Sequence, residues 1–275
     1  MNGPKLAIVT DIHHGEPFGT KYSQHALDLL AGVIDAVEAD PHDLLLDLGD
    51  RINDADRESD LTRLGEVAAI FKRSNTPRAH LIGNHDFDFM DEADNHAILE
   101  SPMNSRSLVI KGWRLVFWYP SARYHRTNGF NQDPGALEWL AEELPRDERP
   151  TVVFTHAPLL IGPIEGNFWF EHKPQAAVSP DADAARRILE ASPNVVMAIA
   201  GHVHWNRLLV SGGVHYLTLQ SLIDGFTASE VPSGTWATIQ LGEQITVEVH
   251  GADRMKLELG PGILGRRWPV PRGRK

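Results

Sequence analysis

Short apolar runs alternate with stretches of helical period in the first third of this chain. Each run is too continuous for a strand with one wet face. Lys5-Leu6-Ala7-Ile8-Val9-Thr10 reads as a buried strand. Between Tyr22 and Glu38, Ala26, Leu29, Leu30, Val33, Ile34 and Val37 recur at three- and four-residue spacing. They predict a helix, with Ser23 placed to cap it. Leu44 to Leu48 gives a second strand, Asp60 to Arg73 a second helix, and Arg78 to Ile82 a third strand. That order implies parallel pairing through right-handed crossovers, and so an α/β fold with helices packed on a sheet. In such sheets the reactive side chains sit beyond the carboxyl ends of the strands.

Five polar motifs stand at such ends. Asp11-Ile12-His13, Gly49-Asp50 and Gly83-Asn84-His85-Asp86 follow the first three strands. Thr155-His156-Ala157-Pro158 follows a buried strand at residues 151–154, and Gly201-His202-Val203-His204 follows another at 195–200. Taken singly, each motif also fits ordinary turn or cap chemistry. Taken together, they supply carboxylates, imidazoles and an amide carbonyl at one kind of place in the fold. That donor set suits two divalent metals of borderline-to-hard character. Two such ions side by side are a device for in-line displacement at phosphorus, with a shared water as nucleophile.

Composition narrows the field. The chain has 275 residues and no cysteine, which excludes disulfides, thiolate metal sites and cysteine nucleophiles. A formal net charge of −11 speaks against a nucleic-acid partner, which would need a basic footprint. A small phosphorylated substrate stays compatible, because two divalent ions outweigh the local carboxylates. No apolar run approaches the ~20 residues of a membrane helix, and no secretory signal is read, so the expectation is a cytoplasmic protein without a membrane partner.

The remaining elements are a hairpin turning at Lys111-Gly112, a helix from Pro134 to Leu144 capped by Asp133, and a helix opened by Ser179-Pro180-Asp181. Three strands follow, at 214–219, 236–241 and 244–249. One catalytic domain is expected over residues 1–255. Residues 256–275 read as a basic tail rich in proline and glycine, which could reach a partner subunit of a homo-oligomer.

The ordered motif set resembles the calcineurin-like metallophosphoesterase family over roughly residues 5–250. The resemblance implies an α/β architecture, a two-sheet β-sandwich flanked by helices, with a two-metal site at the strand ends. It also implies roles. Asp11, His13 and His204 would bind one ion, Asn84, His156 and His202 the other, and Asp50 would bridge both. His85 would be a non-ligand histidine facing the substrate, able to bind phosphate or protonate the leaving group. Asp86 would orient His85 or a ligand histidine, or simply cap a helix. Gly49-Asp50-Arg51-Ile52-Asn53-Asp54 departs from the Gly-Asp-x-Val-Asp-Arg-Gly of the family's protein phosphatases. Gly83-Asn84-His85-Asp86 departs from their Gly-Asn-His-Glu. Both look more like the small-molecule phosphodiesterase and nucleotide-pyrophosphatase branches. The metals would come from Mn, Fe, Zn, Co and Ni, manganese first.

Substrate contacts should come from loops around the site. His14 is placed to line the mouth. Asn167-Phe168-Trp169-Phe170-Glu171-His172 crowds rings into a few residues and reads either as a lid or as an aromatic plug at the core edge. Trp205, directly after His204, is placed to wall the pocket.

Overall fold

The computed structural model describes residues 3–125, 127–228 and 230–259. In chain order the strands and helices are β1 (Lys5–Val9), α1 (Ala26–Ala39), β2 (Leu44–Asp47), α2 (Arg57–Phe71), β3 (Arg78–His80), α3 (Glu92–Leu99), β4 (Arg106–Ile110), β5 (Trp113–Phe117), β6 (Tyr124–His125) and β7 (Gly129–Phe130). They continue as α4 (Pro134–Glu143), β8 (Thr151–Phe154), α5 (Ala182–Ala191), β9 (Val195–Ala200), β10 (Arg207–Ser211), β11 (Val214–Thr218), β12 (Trp236–Gln240), β13 (Ile245–His250) and β14 (Met255–Leu259). Two mixed six-stranded sheets result, with orders β14-β13-β12-β1-β2-β3 and β10-β11-β9-β8-β5-β4. β1, β2 and β3 run parallel in the first, and β5, β8, β9 and β11 run parallel in the second.

Period two along each strand assigns the two faces. Leu6, Ile8, Leu44 and Leu46 pack against Leu115, Phe117, Val152, Phe154 and Ile199 between the sheets. The alternate residues Ala7, Val9 and Leu45 meet Leu30, Ile34 and Val37 of α1 and Val67 and Phe71 of α2. On the far side, Val116, Val153 and Ala198 meet Leu140 of α4 and Leu189 of α5. Strands buried on both faces must be apolar throughout, which explains their continuous runs.

Several boundaries differ from the sequence reading. Ser23 caps nothing. It lies in the short turn Ser23–His25, its hydroxyl takes a bond from Asn53 at 2.8 Å, and α1 begins at Ala26. α2 starts earlier than expected because Asp56 caps it through the Ser59 amide. Asp133 caps α4 as expected. Asp181 stands before α5 but turns its carboxylate to the Asp133 amide at 2.6 Å. The expected tail begins too early: residues 256–259 belong to β14, which pairs antiparallel with β13 and packs Met255, Leu257 and Leu259 on the core. The rest of that expected tail lies outside the described residues. Among the described residues no helix is long and apolar enough to cross a membrane.

Candidate metal centre

The carboxyl ends of β1, β2, β3, β8 and β9 converge, and the turns that follow them carry all five motifs. Asp11, His13, Asp50, His202 and His204 all have positive φ, from 46° to 67°, a region that non-glycine residues enter at a cost. Strain gathered on these residues is what a functional site held by its surroundings would show. Two glycines let the turns approach. A Cβ on Gly83 would collide with the Asp50 carboxylate, and one on Gly201 with Thr10 and the Asp11 carboxylate.

Each polar group is held from behind so that one atom is left facing inward. Asp11 Oδ2 accepts from Thr10 Oγ1 at 2.6 Å and from the His202 amide at 2.9 Å. Its Oδ1 is buried with no hydrogen-bond partner, 3.2 Å from His204 Nε2. His204 Nδ1 donates to Asp224 at 2.7 Å, leaving Nε2 bare. His156 Nδ1 donates to the Leu48 carbonyl at 2.9 Å, and its Nε2 is buried without a hydrogen-bond partner. His202 Nε2 donates to the Ala176 carbonyl at 3.0 Å, so Nδ1 is its free nitrogen. Asn84 Oδ1 is likewise buried and without a partner. Asp50 lies in the middle. Its Oδ1 accepts the His85 amide at 2.8 Å, while Oδ2 is 3.8 Å from His13 Nε2 and 3.4 Å from His156 Nε2.

Donor atoms thus form overlapping groups: Asp11, His13 and His204; His13, Asp50 and His85; and Asp50, His156 and His202, each within 4.8 Å. Buried polar atoms without partners are costly. Here three of them, Asp11 Oδ1, Asn84 Oδ1 and His156 Nε2, belong to one mixed oxygen–nitrogen set, which fits a pair of divalent ions.

Electrostatics agree. Burial would raise Asp50, but the histidines around it, His156 first, hold it well below the usual carboxylate range. Burial pulls His156 down, yet the charges of Asp50 and Asp11 outweigh it and lift the ring to about 9. His202, buried and next to His156, is pushed down to about 3. Burial, then Lys21 beside it, holds His13 far below the imidazole range.

Partners that the motifs do not announce complete the site. Asp54 accepts from His85 Nδ1, four residues after Asp50. Asp224 backs His204, and Ser221 Oγ donates to the Asp11 carbonyl at 2.6 Å. Asp86 neither touches His85 nor caps a helix. It accepts the amides of Asp50, Arg51 and Gly83 at 2.8, 2.8 and 3.0 Å, tying two motif turns together.

A cavity of about 790 Å³ opens beside the donors. His85, Lys21, Arg63, Tyr124, Trp169 and Phe170 are among its walls. The six ring residues expected at the substrate divide. Phe170 is buried against His202 at 4.9 Å as a plug, Trp169 is a wall, and Phe168 lies exposed against Trp169. His172 is exposed and does not line the cavity, nor does Trp205, which stacks under Arg207 at 4.2 Å. His14 turns away to Glu66 of α2 at 2.6 Å.

Residues 4–206 match the model of the calcineurin-like phosphoesterases. Among solved structures, a dimetal phosphatase from Danio rerio is similar over 94% of this chain and 99% of its own, with a TM-score of 0.75 at 17% identity. A purple acid phosphatase from yellow lupin gives 0.64 at 12% identity over 99% of this chain, which spans 57% of that larger protein. GAP50, the anchor in the inner membrane complex of Plasmodium, gives 0.61 at 10% identity over 94% of this chain and 89% of its own. No curated protein sequence matches. These structures share the fold, and the family match covers the strands and turns that carry all five motifs: the chain belongs to the calcineurin-like phosphoesterase family.

Proposed function

We propose that this protein is a hydrolase that uses two divalent metal ions to cleave a small-molecule phosphodiester, such as a nucleotide, cyclic nucleotide or glycerophospho-alcohol. One observation carries the reading: a single carboxylate oxygen, Asp50 Oδ2, faces both His13 and His156, and so stands where two donor groups meet. Asp11, His13 and His204 would hold one ion, and Asn84, His156 and His202 the other, with Asp50 between. When bound, such a pair supplies Lewis acidity and activates water for in-line attack at phosphorus.

The chain's own residues do the rest. Asp11 and His204 are fixed by Thr10 and Asp224, so the donors need little reorganisation when they are used. Asp54 takes the Nδ1 hydrogen of His85, which turns Nε2 to the cavity. A proton on that Nε2 is placed to reach the leaving oxygen. Phe170 and Trp169 keep bulk water from one side of the donors. The acidic chain supports a small phosphorylated partner rather than nucleic acid.

Phosphomonoesterase action is the rival, favoured by the names of two structural neighbours, which are phosphatases. A scaffold without catalysis is disfavoured by the complete donor set. The test is a panel of chromogenic mono- and diesters assayed with Mn, Fe, Zn, Co and Ni. Turnover should appear with manganese, favour the diester, vanish with chelator, and fall by at least ~10³ in Asp50→Asn. An inactive panel under every metal would refute hydrolysis, and a monoester preference would refute the finer assignment.

A further inference from the structure

Lys21 has no role in the family's motifs, and its surroundings are unusual for a lysine. The residue is only 7% exposed, yet it lines the cavity. Around its ammonium are His13 Nδ1 at 3.2 Å, Asn53 Oδ1 at 3.4 Å and the ring of Trp169 at 5.0 Å. None of these is a carboxylate: Asp50, Asp11, Asp224 and Asp54 act on the ammonium through space, but none forms an ion pair with it, although a buried ammonium ordinarily takes a direct anionic partner.

The nearest of these contacts is conditional. Here Lys21 donates to His13 Nδ1, which leaves the ring hydrogen on Nε2, directed at His204 Nε2 3.0 Å away. A neutral His204 cannot supply that hydrogen, since its own lies on Nδ1 against Asp224. A neutral His13 that ligates through Nε2 carries its hydrogen on Nδ1, and Nδ1 then stops accepting. Lys21 would be left with a long amide contact, an indole face and carboxylates that do not pair with it directly, beside a cavity open to substrate. An anion satisfies it best.

Position decides which anion. The His13 ring stands between the ammonium and the point where the His13 and His204 Nε2 atoms meet. Lys21 therefore does not share the oxygens of a phosphoryl group reacting there, but it can meet the neighbouring group of the same substrate. The rings of Trp169 and Phe18, 5.9 Å apart, flank that space. We propose that Lys21 binds a second anionic group next to the reacting phosphorus, and so selects substrates of the phosphoanhydride type over esters with one charged phosphorus.

This rests on the phosphoesterase reading, and the two can fail separately. Imidodiphosphate (an anhydride mimic that resists hydrolysis) and inorganic phosphate are titrated calorimetrically into manganese-loaded wild type, Lys21→Met and Lys21→Arg. Lys21→Met should weaken imidodiphosphate binding roughly tenfold to a hundredfold and phosphate binding far less, with Lys21→Arg recovering much of the loss. The ratio of kcat/KM for a nucleoside diphosphate over bis(p-nitrophenyl) phosphate should fall by the same factor. Equal losses for both anions, no loss, or a variant that has lost manganese would overturn the proposal, the last two because they give Lys21 no role or a merely structural one. A crystal of wild type with manganese and imidodiphosphate decides the matter independently of any variant: an anion oxygen at hydrogen-bond distance from Lys21 Nζ supports it, and an anion elsewhere overturns it. Binding through Lys21 without turnover of any ester would leave this inference standing and remove the hydrolase.

Discussion

Asp224 decides which nitrogen of His204 is left facing the cluster of candidate donors. The same oxygen, Oδ2, accepts from His204 Nδ1 at 2.7 Å and from the Trp169 indole at 2.6 Å, and the carboxyl is held down at about 2, burial being outweighed by the His204 contact. The bond fixes the tautomer and aims Nε2 at Asp11. Asp224→Asn keeps the shape but can offer its NH2 in place of the acceptor. We expect a loss of ~10–100-fold in manganese affinity, read by titration against a competing chelator. An unchanged affinity would mean that the ring is aimed by packing alone. The seven candidate donors that the structure brings together stood out in the chain because each belongs to a motif that directly follows an apolar run. Asp224, Asp54 and Lys21 were not. Asp224 works 20 residues from its partner in a segment with no motif of its own. Asp54 follows Asp50 at a spacing that a turn would also explain, and Lys21 meets His13 only through the fold.

Between the turns after β2 and β3 lies a buried ionic knot. Arg51 pairs with Asp47 at the end of β2 and with Asp86 at 2.8 Å, and it also reaches the Leu81 carbonyl and Asn95 of α3. All three charged side chains are fully buried. His80, on β3, adds a 3.0 Å contact to Asp47. The knot sets the spacing of the Asp50 and Asn84 turns, since Asp86 holds the amides of both. Arg51→Met leaves two carboxylates buried without their cation, and should cost about 3–5 kcal/mol in chemical denaturation. A loss below ~1 kcal/mol would show that solvent reaches the pair. Legibility at this scale followed burial. Elements with clear start signals and a buried apolar face, such as α4 with its Asp133 cap and Pro134, were read near their true ends. α3 was not read, because only Asn95 and Leu99 are buried in it and its start is a capping box of Asp91 with Asp94. β10 was missed as well: it is an edge strand, partly exposed along its length and without alternation.

Across the whole molecule, protons and ions would compete for the same candidate donors, so stability should depend on pH differently with and without metal. The parallel order of the early strands was readable from periodicity, whereas the second sheet came only with the family resemblance, because no local pattern says which strands share a sheet. What the two sheets bring together is a set of opposed imidazoles. His156 is raised from 6.5 to about 9 in the fold. In the metal-free protein its protonated form therefore stabilises the fold fully below pH 6.5, and that contribution is lost as pH rises through 9. His204 moves the same way, Asp11 overcoming the effect of burial. His202, at about 3, acts on the other side: the unfolded chain takes up its proton below 6.5 and the fold does not, so stability falls toward acid. Ions held by His156 and His204 would remove the alkaline limb, because they would displace the protons of those rings and bind more tightly as pH rises. Melting temperature in chelator should therefore peak near pH 6.5 and decline toward 9, His156 alone contributing at most about 3 kcal/mol, at ~2–4 °C for each kcal/mol. With manganese the decline should disappear, so that the gap between loaded and stripped protein widens steadily from pH 6.5 to 9. A gap that stays constant over that range would mean that His156 does not face Asp50 as a proton-bearing partner, and that no ion takes its place.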